Sequence, residues 1–372
     1  MKNRAQAREP YFKTYSGDPL GVLVVDRLSL SPARFGLIAL ATALVVDAIS
    51  FGLVGDRVIA LSGWTEAWAY AVFLYVVFPA IVVAYVWVPR AVSELFRGLR
   101  GSEALVAPHD EYDGFIKGGS DSLERYYTHS GWAIASAVIV ALVAVYYAFI
   151  YTLGWPRLSL LLRALKVLVL YVPGWYMLCQ IVSQEAVTIW GLRQVFRRFE
   201  VSPYPLHPDR CGGLRAINNY AVGFTYVIAV AGVGVGLMAW VTLRREGRLS
   251  PDTAMWVGIY VVLALICFFL PPWTAHKAMA EARDKLLSDI SQQFQRDYAA
   301  ATAGLAEDAV ELKGRVEKVQ DLRTLYELTD AFPVWPFDTA TLRRFAVTVA
   351  APLTPVIVEL AISIAASLLR ST

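Results

Sequence analysis

Two carboxylates stand inside runs of otherwise apolar residues, and chemistry would concentrate there. Asp47 lies within Phe35–Val54, and Glu359 lies within Phe345–Leu369, the last long apolar run. An ionised carboxylate in hydrocarbon is costly, so such a residue faces a bundle interior, water or a cation rather than lipid. In the final run Pro352 and Pro355 each delete a helical hydrogen bond just before Glu359, and the helix is expected to bend there. A bent apolar helix holding one acid, with Thr348, Thr354 and Ser363 nearby, suits an ion pathway. Asp47 supplies a second negative group at similar depth, roughly 20 Å from the cytoplasmic face at the helical rise per residue. The competing reading is structural. Lys166 and Arg163, from the outer end of the fourth apolar run, could pair with Asp47, although Lys166 is expected to extend to the outer membrane surface more often than to pair.

A second constellation is the loop His207-Pro208-Asp209-Arg210-Cys211-Gly212-Gly213-Leu214. His207, Asp209 and Cys211 at alternate positions are metal-ligand types, and all four histidines fall on the expected cytoplasmic side. Pro208 and the Gly-Gly pair suit a tight turn into a helix better, and no Ser-His-Asp, HExxH or P-loop pattern accompanies them. The Gly232-Val233-Gly234-Val235-Gly236 run sits mid-way in an apolar stretch, where Gly223, Gly232 and Gly236 would let another helix approach closely. Asn218 and Asn219, with Gln180, Gln184 and Glu185, form either a polar vestibule or an interhelical hydrogen-bond cluster.

The elements that must position these residues follow from composition. A chain that is 57% hydrophobic and 17% charged, with mean hydropathy +0.48, is too apolar for a soluble domain of this length. Long continuous apolar runs choose helices over a barrel. Seven crossings are expected, over Phe35–Val54, Ala67–Val88, Trp132–Leu153, Leu165–Val182, Tyr220–Leu243, Ala254–Leu270 and Phe345–Leu369. Of the 34 Lys and Arg, 26 then fall on the side of the amino terminus, which places that end in the cytoplasm and the carboxyl terminus outside. Residues 1–30 carry no signal-peptide pattern, and Cys179, Cys211 and Cys267 lack the spacing of a disulfide or CxxC framework. The net charge of +3 makes no case for nucleic acid.

Residues 89–97 read as a short amphipathic helix along the membrane surface, and the remainder to Gly131 reads as loop. Two apolar stripes, from Met279 to Tyr298 and from Leu305 to Tyr326, flank Thr302-Ala303-Gly304. The chain must leave and re-enter the membrane across this stretch, so an antiparallel helical hairpin roughly 40 Å long is expected. The division is thus a cytoplasmic segment over 1–34, six membrane helices with their loops over 35–273, a cytoplasmic hairpin over 274–338, and a seventh crossing over 339–372.

The HPDRCGGL stretch at His207–Leu214 and the PFDTATLRRF run at Pro336–Phe345 resemble those of an uncharacterised group of prokaryotic polytopic membrane proteins. Separately, the topology resembles that of the insect odorant and gustatory receptor type of seven-helix ion channel. That resemblance implies a pore lined by the final span and tetramers assembled through cytoplasmic helices; the family's Thr-Tyr signature is absent from the final span here. The sequence therefore predicts an all-α polytopic membrane protein of the cell (inner) membrane, an oligomeric cation channel rather than an enzyme. Its partners would be lipid, ions and further copies of itself, with no cofactor. The alternatives are a secondary transporter using Asp47 or Glu359, and a membrane protein with a partner-binding or metal site at the His207 loop.

Overall fold

A computed structural model describes residues 18–54, 64–102, 104–129, 135–143, 145, 165–201, 212–303, 309–331, 334, 335, 337 and 339–371. The described chain is almost wholly helical. A short turn at Pro19–Gly21 and a π-helical stretch at Val22–Arg27 lead into α1 (Pro32–Val54). Helix α2 runs through Trp64–Val72, a π-helical Phe73–Val77 and Phe78–Arg100. Then come α3 (His109–His129) and α4, which is π-helical over Val167–Tyr171 and α-helical over Val172–Arg198. Helices α5 (Arg215–Glu246), α6 (Pro251–Ala303) and α7 (Ala309–Asp330) follow. The chain ends in α8 (Thr339–Ala350), a 3-10 turn at Ala351–Leu353, and α9 (Thr354–Ser371). A two-stranded sheet pairs β1 (Leu105–Val106) antiparallel with β2 (Glu200–Val201).

Six described helical stretches are long and apolar enough to cross a membrane: α1, α2, α4, α5, α6 and α8 with α9. The expected crossing at 132–153 falls mostly outside the described residues, of which 135–143 and 145 are helical.

Prolines explain the irregular turns. A proline lacks its N–H and its ring crowds the carbonyl four residues earlier, which widens the helix there. Pro79 has Tyr75 at that position, inside one π-helical turn, and Pro173 has Val169, inside another. At the carboxyl end Pro352 sits in the 3-10 turn, and the bend expected before Glu359 is a change of helix type between α8 and α9.

Close approaches set the helix directions. Gly174 lies against Phe78 and Gly191 against Phe96, so α2 and α4 run parallel. Gly98 meets Ala216 and Gly223 meets Trp87, so α5 runs opposite to both. Gly36 faces Val83, Gly232 faces Tyr260, and Gly236 packs on the backbone of Pro352. A side chain at Gly236 would collide with the Pro352 carbonyl, as close helix approach through small residues requires. These directions gather Arg34, Arg97, Arg100, Arg197, Arg198 and Arg215 at one end of the bundle, called the basic end below.

Two expectations need correction. Residues 89–97 are not a separate surface helix: α2 continues through Pro89 to Arg100 and buries Ala91, Val92, Leu95, Phe96 and Leu99 in the main core. The stretch after Pro108 is not loop but α3, docked by Tyr112 donating to the Phe96 carbonyl at 3.0 Å and by Arg100 and Arg198 pairing with Asp113 and Glu111. Residues 18–30 also differ from a free tail, because Asp18 and Val24 are each 2% exposed within the helical core.

Beyond the apolar part of α6 the chain forms a polar arm. Lys318 of α7 pairs with Asp297 of α6 at 2.9 Å, and Arg315 donates to the Ala300 carbonyl at 3.0 Å, so the two helices run antiparallel. The Lys318 ammonium holds the Asp297 carboxyl below its ordinary range. At the root of the arm His276 stacks on Trp335 at 4.0 Å and Phe268 stacks on Phe345 at 3.9 Å, tying the arm to α8.

Candidate functional site

Three carboxylates are ranged along α4, two of them at its parallel seam with α2 and the third where it meets α5, and tyrosines supply hydroxyls to all of them. Asp47 of α1 is the outermost. Lys166 donates to its Oδ1 at 2.6 Å, Tyr70 donates to the same oxygen at 3.0 Å, and Tyr75 donates to Oδ2 at 2.5 Å. Lys166 also donates to the Tyr70 hydroxyl at 3.0 Å. Of the two pairing partners expected, the structure selects Lys166; Arg163 lies outside the described residues. Tyr75 sits within one π-helical turn, Lys166 directly precedes another, and Phe73 stacks on Tyr171 at 5.8 Å across them. π-Helical turns widen a helix and re-aim side chains, and they concentrate at functional positions.

Asp18 is the second carboxylate, and it lies outside every apolar run. It caps the Pro19 turn by accepting from the Leu20 N–H at 3.1 Å. Tyr176 of α4 donates to its Oδ1 at 2.6 Å, and Tyr85 of α2 donates to Oδ2. Among the described residues no basic side chain pairs with it. Three donors satisfy a buried carboxyl group's hydrogen-bonding needs without a cation. The Asp-Pro helix-start signature was the one signal available for it.

Glu185 is the third. It is 1% exposed, and Tyr220 of α5 donates to its Oε2. Among the described residues its Oε1 has no hydrogen-bond partner, and neither has either polar atom of the neighbouring Gln184, also 1% exposed. An unpartnered buried polar atom costs roughly 1–3 kcal/mol, so three of them together mark a place where the fold accepts a penalty. Gln180 and Thr188 continue the same row of α4 at intervals of four and are buried as well. Asn219, which the sequence grouped with these residues, instead lines a cavity of about 520 Å³ at the basic end. That cavity is bounded by Trp87, Glu94, Ser102, Arg215, Asn219 and Tyr220, among others.

The three centres are spaced along α4. Lys166, Tyr176 and Glu185 mark them, and the first and last are about 28 Å apart at the helical rise, close to the thickness of a bilayer's hydrocarbon core. Tyr75 and Tyr85 mark two of the same levels on α2.

Glu359 is elsewhere. It accepts from Arg244 of α5 at 2.8 Å, in a pair whose side chains are 22% and 52% exposed, and Arg244 also lies over the Trp240 ring. The expected grouping of Glu359 with Asp47 in one negative lining is therefore not seen: the two carboxylates have different partners on different helices. Thr348 is half-buried and Thr354 exposed; Ser363 falls within α9, with its side chain outside the described set. His207, Asp209 and Cys211 lie outside the described residues. Among those described no three His, Cys, Asp or Glu side chains are grouped to hold a metal.

Comparison with protein-family models, curated proteins and solved structures finds no match.

Proposed function

We propose that this protein moves a small cation across the cell membrane along the α2–α4 seam, as a secondary transporter does. The observation that carries the reading is the series of three tyrosine-bound carboxylates, Asp47, Asp18 and Glu185, set through about one bilayer thickness of a single chain. Ionisable side chains at membrane depth are retained chiefly where an ion or proton must pass. The seam is closed by packed side chains between the centres, which favours stepwise occupancy over an open pore.

The orientation belongs to the same proposal. The basic end faces the cytoplasm by the positive-inside tendency, and the α6–α7 arm projects on that side. The parallel course of α2 and α4 supports one more crossing between them, and the run 132–153 is apolar and long enough to make it.

One observation favours a second reading, an oligomeric cation channel lined by α8 and α9. This is the least enclosed crossing, with 11% of its apolar window buried, and Leu325, Tyr326 and Leu328 are exposed on the arm where copies could join. Proteoliposomes separate the two. The seam reading expects cation or proton movement under an imposed potential that is abolished by Asp18→Asn or Glu185→Gln and survives Glu359→Gln. Unitary currents whose ion selectivity changes in Glu359→Gln would overturn it in favour of the channel.

A further inference from the structure

We propose that the transported or coupling ion is the proton, and that it enters Glu185 from the 520 Å³ cavity at the basic end through Tyr220. The proposal rests on the seam reading and specifies its ion and its cytoplasmic door. Tyr220 has two roles at once: it forms part of the cavity wall, and its hydroxyl is the donor to Glu185. The cavity is large enough for a chain of water molecules and carries Glu94, Arg215, Asn219 and Ser102 on its walls, whereas Glu185 behind Tyr220 is sealed from solvent. The titratable groups facing Glu185 are Tyr220 from α5 and Cys267 from α6, neither of them cationic.

A metal cation would need several oxygen ligands converging on one point. Here one carboxylate oxygen is already taken by a hydroxyl donor, and among the described residues no acidic cluster surrounds the other. A proton needs only a relay. A hydronium ion in the cavity gives a proton to the Tyr220 oxygen while that oxygen's own proton passes along the existing hydrogen bond to Oε2. Two O–H bonds break, one in the hydronium ion and one in tyrosine, and two form, on the tyrosine oxygen and on Oε2; tyrosine stays neutral, the carboxylate becomes a carboxylic acid, and water remains in the cavity. The new acid can then turn its proton toward the unpartnered Gln184 amide, whose oxygen has no donor.

Infrared difference spectroscopy of the purified protein in lipid tests this without knowledge of any substrate. A carboxylic-acid band should grow on acidification and be missing in Glu185→Gln. Its exchange on transfer to heavy water should slow at least about tenfold in Tyr220→Phe, which removes the relay, and in Asn219→Trp, which fills the cavity from an exposed position. A spectrum with no Glu185-dependent acid band, or exchange equally fast in both variants, overturns the proposal. Cation flux through the seam without that band would leave the seam reading standing and remove the proton. The band without any flux would do the reverse.

Discussion

The α2–α4 seam and the outer face where α5 meets α9 each hold a carboxylate bonded to a cation, yet the surroundings differ. In the seam Lys166 and Asp47 are bound to each other and to two tyrosine hydroxyls, with side-chain exposures of 20% and 25%. On the outer face Arg244 is half-exposed and is the one partner of Glu359 among the described residues. The two carboxylates are about equally enclosed, so partner number and the exposure of the cation, rather than the presence of a charge in an apolar run, separate a fixed site from an adaptable surface pair. A charge on the outer face can be met by water or headgroups, while one in the seam must be met by protein.

The largest expected effect breaks that contrast directly. Lys166→Met leaves Asp47 with two tyrosine hydroxyls and no cation, and should cost about 3–5 kcal/mol in a detergent unfolding titration. The double variant Asp47→Leu with Lys166→Met should recover most of the loss, because neither charge is then left alone. Arg244→Met at the outer pair should cost under about 1 kcal/mol. Equal losses at the two sites would erase the distinction.

A smaller effect concerns the cation-free centre. Asp18→Ala leaves the Tyr85 and Tyr176 hydroxyls without their acceptor and should cost about 1–3 kcal/mol by the same titration. Tyr176→Phe, which removes one of three donors, should cost about 1 kcal/mol. If Asp18→Ala is neutral, the amino-terminal turn is not fixed in the core as described.

These centres also show what the amino-acid order could reveal. Asp47 and Lys166 were legible because a charge within an apolar run is conspicuous, and depth bookkeeping placed both in the outer half. Asp18 was not, because Gly17-Asp18-Pro19 resembles any polar amino-terminal stretch, and its acceptor role depends on Tyr85 and Tyr176, far along the chain. Tyrosines inside apolar runs read as bulk or as interface anchors; only packing shows where the hydroxyl goes. Pro89 suggested the end of a helix, but the apolar face from Ala91 to Leu99 buries so fully that α2 continues through it. Glu359 drew attention through the prolines beside it, while Arg244 was counted as a loop charge and its match in depth went unused.

The smallest effect lies outside the bundle. The Asp297 carboxyl is held below its ordinary range by Lys318, so this pair contributes stability above the unfolded carboxylate value, near pH 4, and loses it as pH falls through the lower folded value. Limited proteolysis of the α6–α7 arm should quicken only on acidification below about pH 4 and should be insensitive to pH in Asp297→Asn. Quickening at neutral pH would mean that the pair does not hold the arm.

Charge displacement on a solid-supported membrane tests the central claim most directly. With protein reconstituted in one orientation, a pH or cation jump should drive a transient current in the natural sequence and in Glu359→Gln, and none in Asp18→Asn or Glu185→Gln. A current that survives both seam substitutions and disappears in Glu359→Gln would contradict the account.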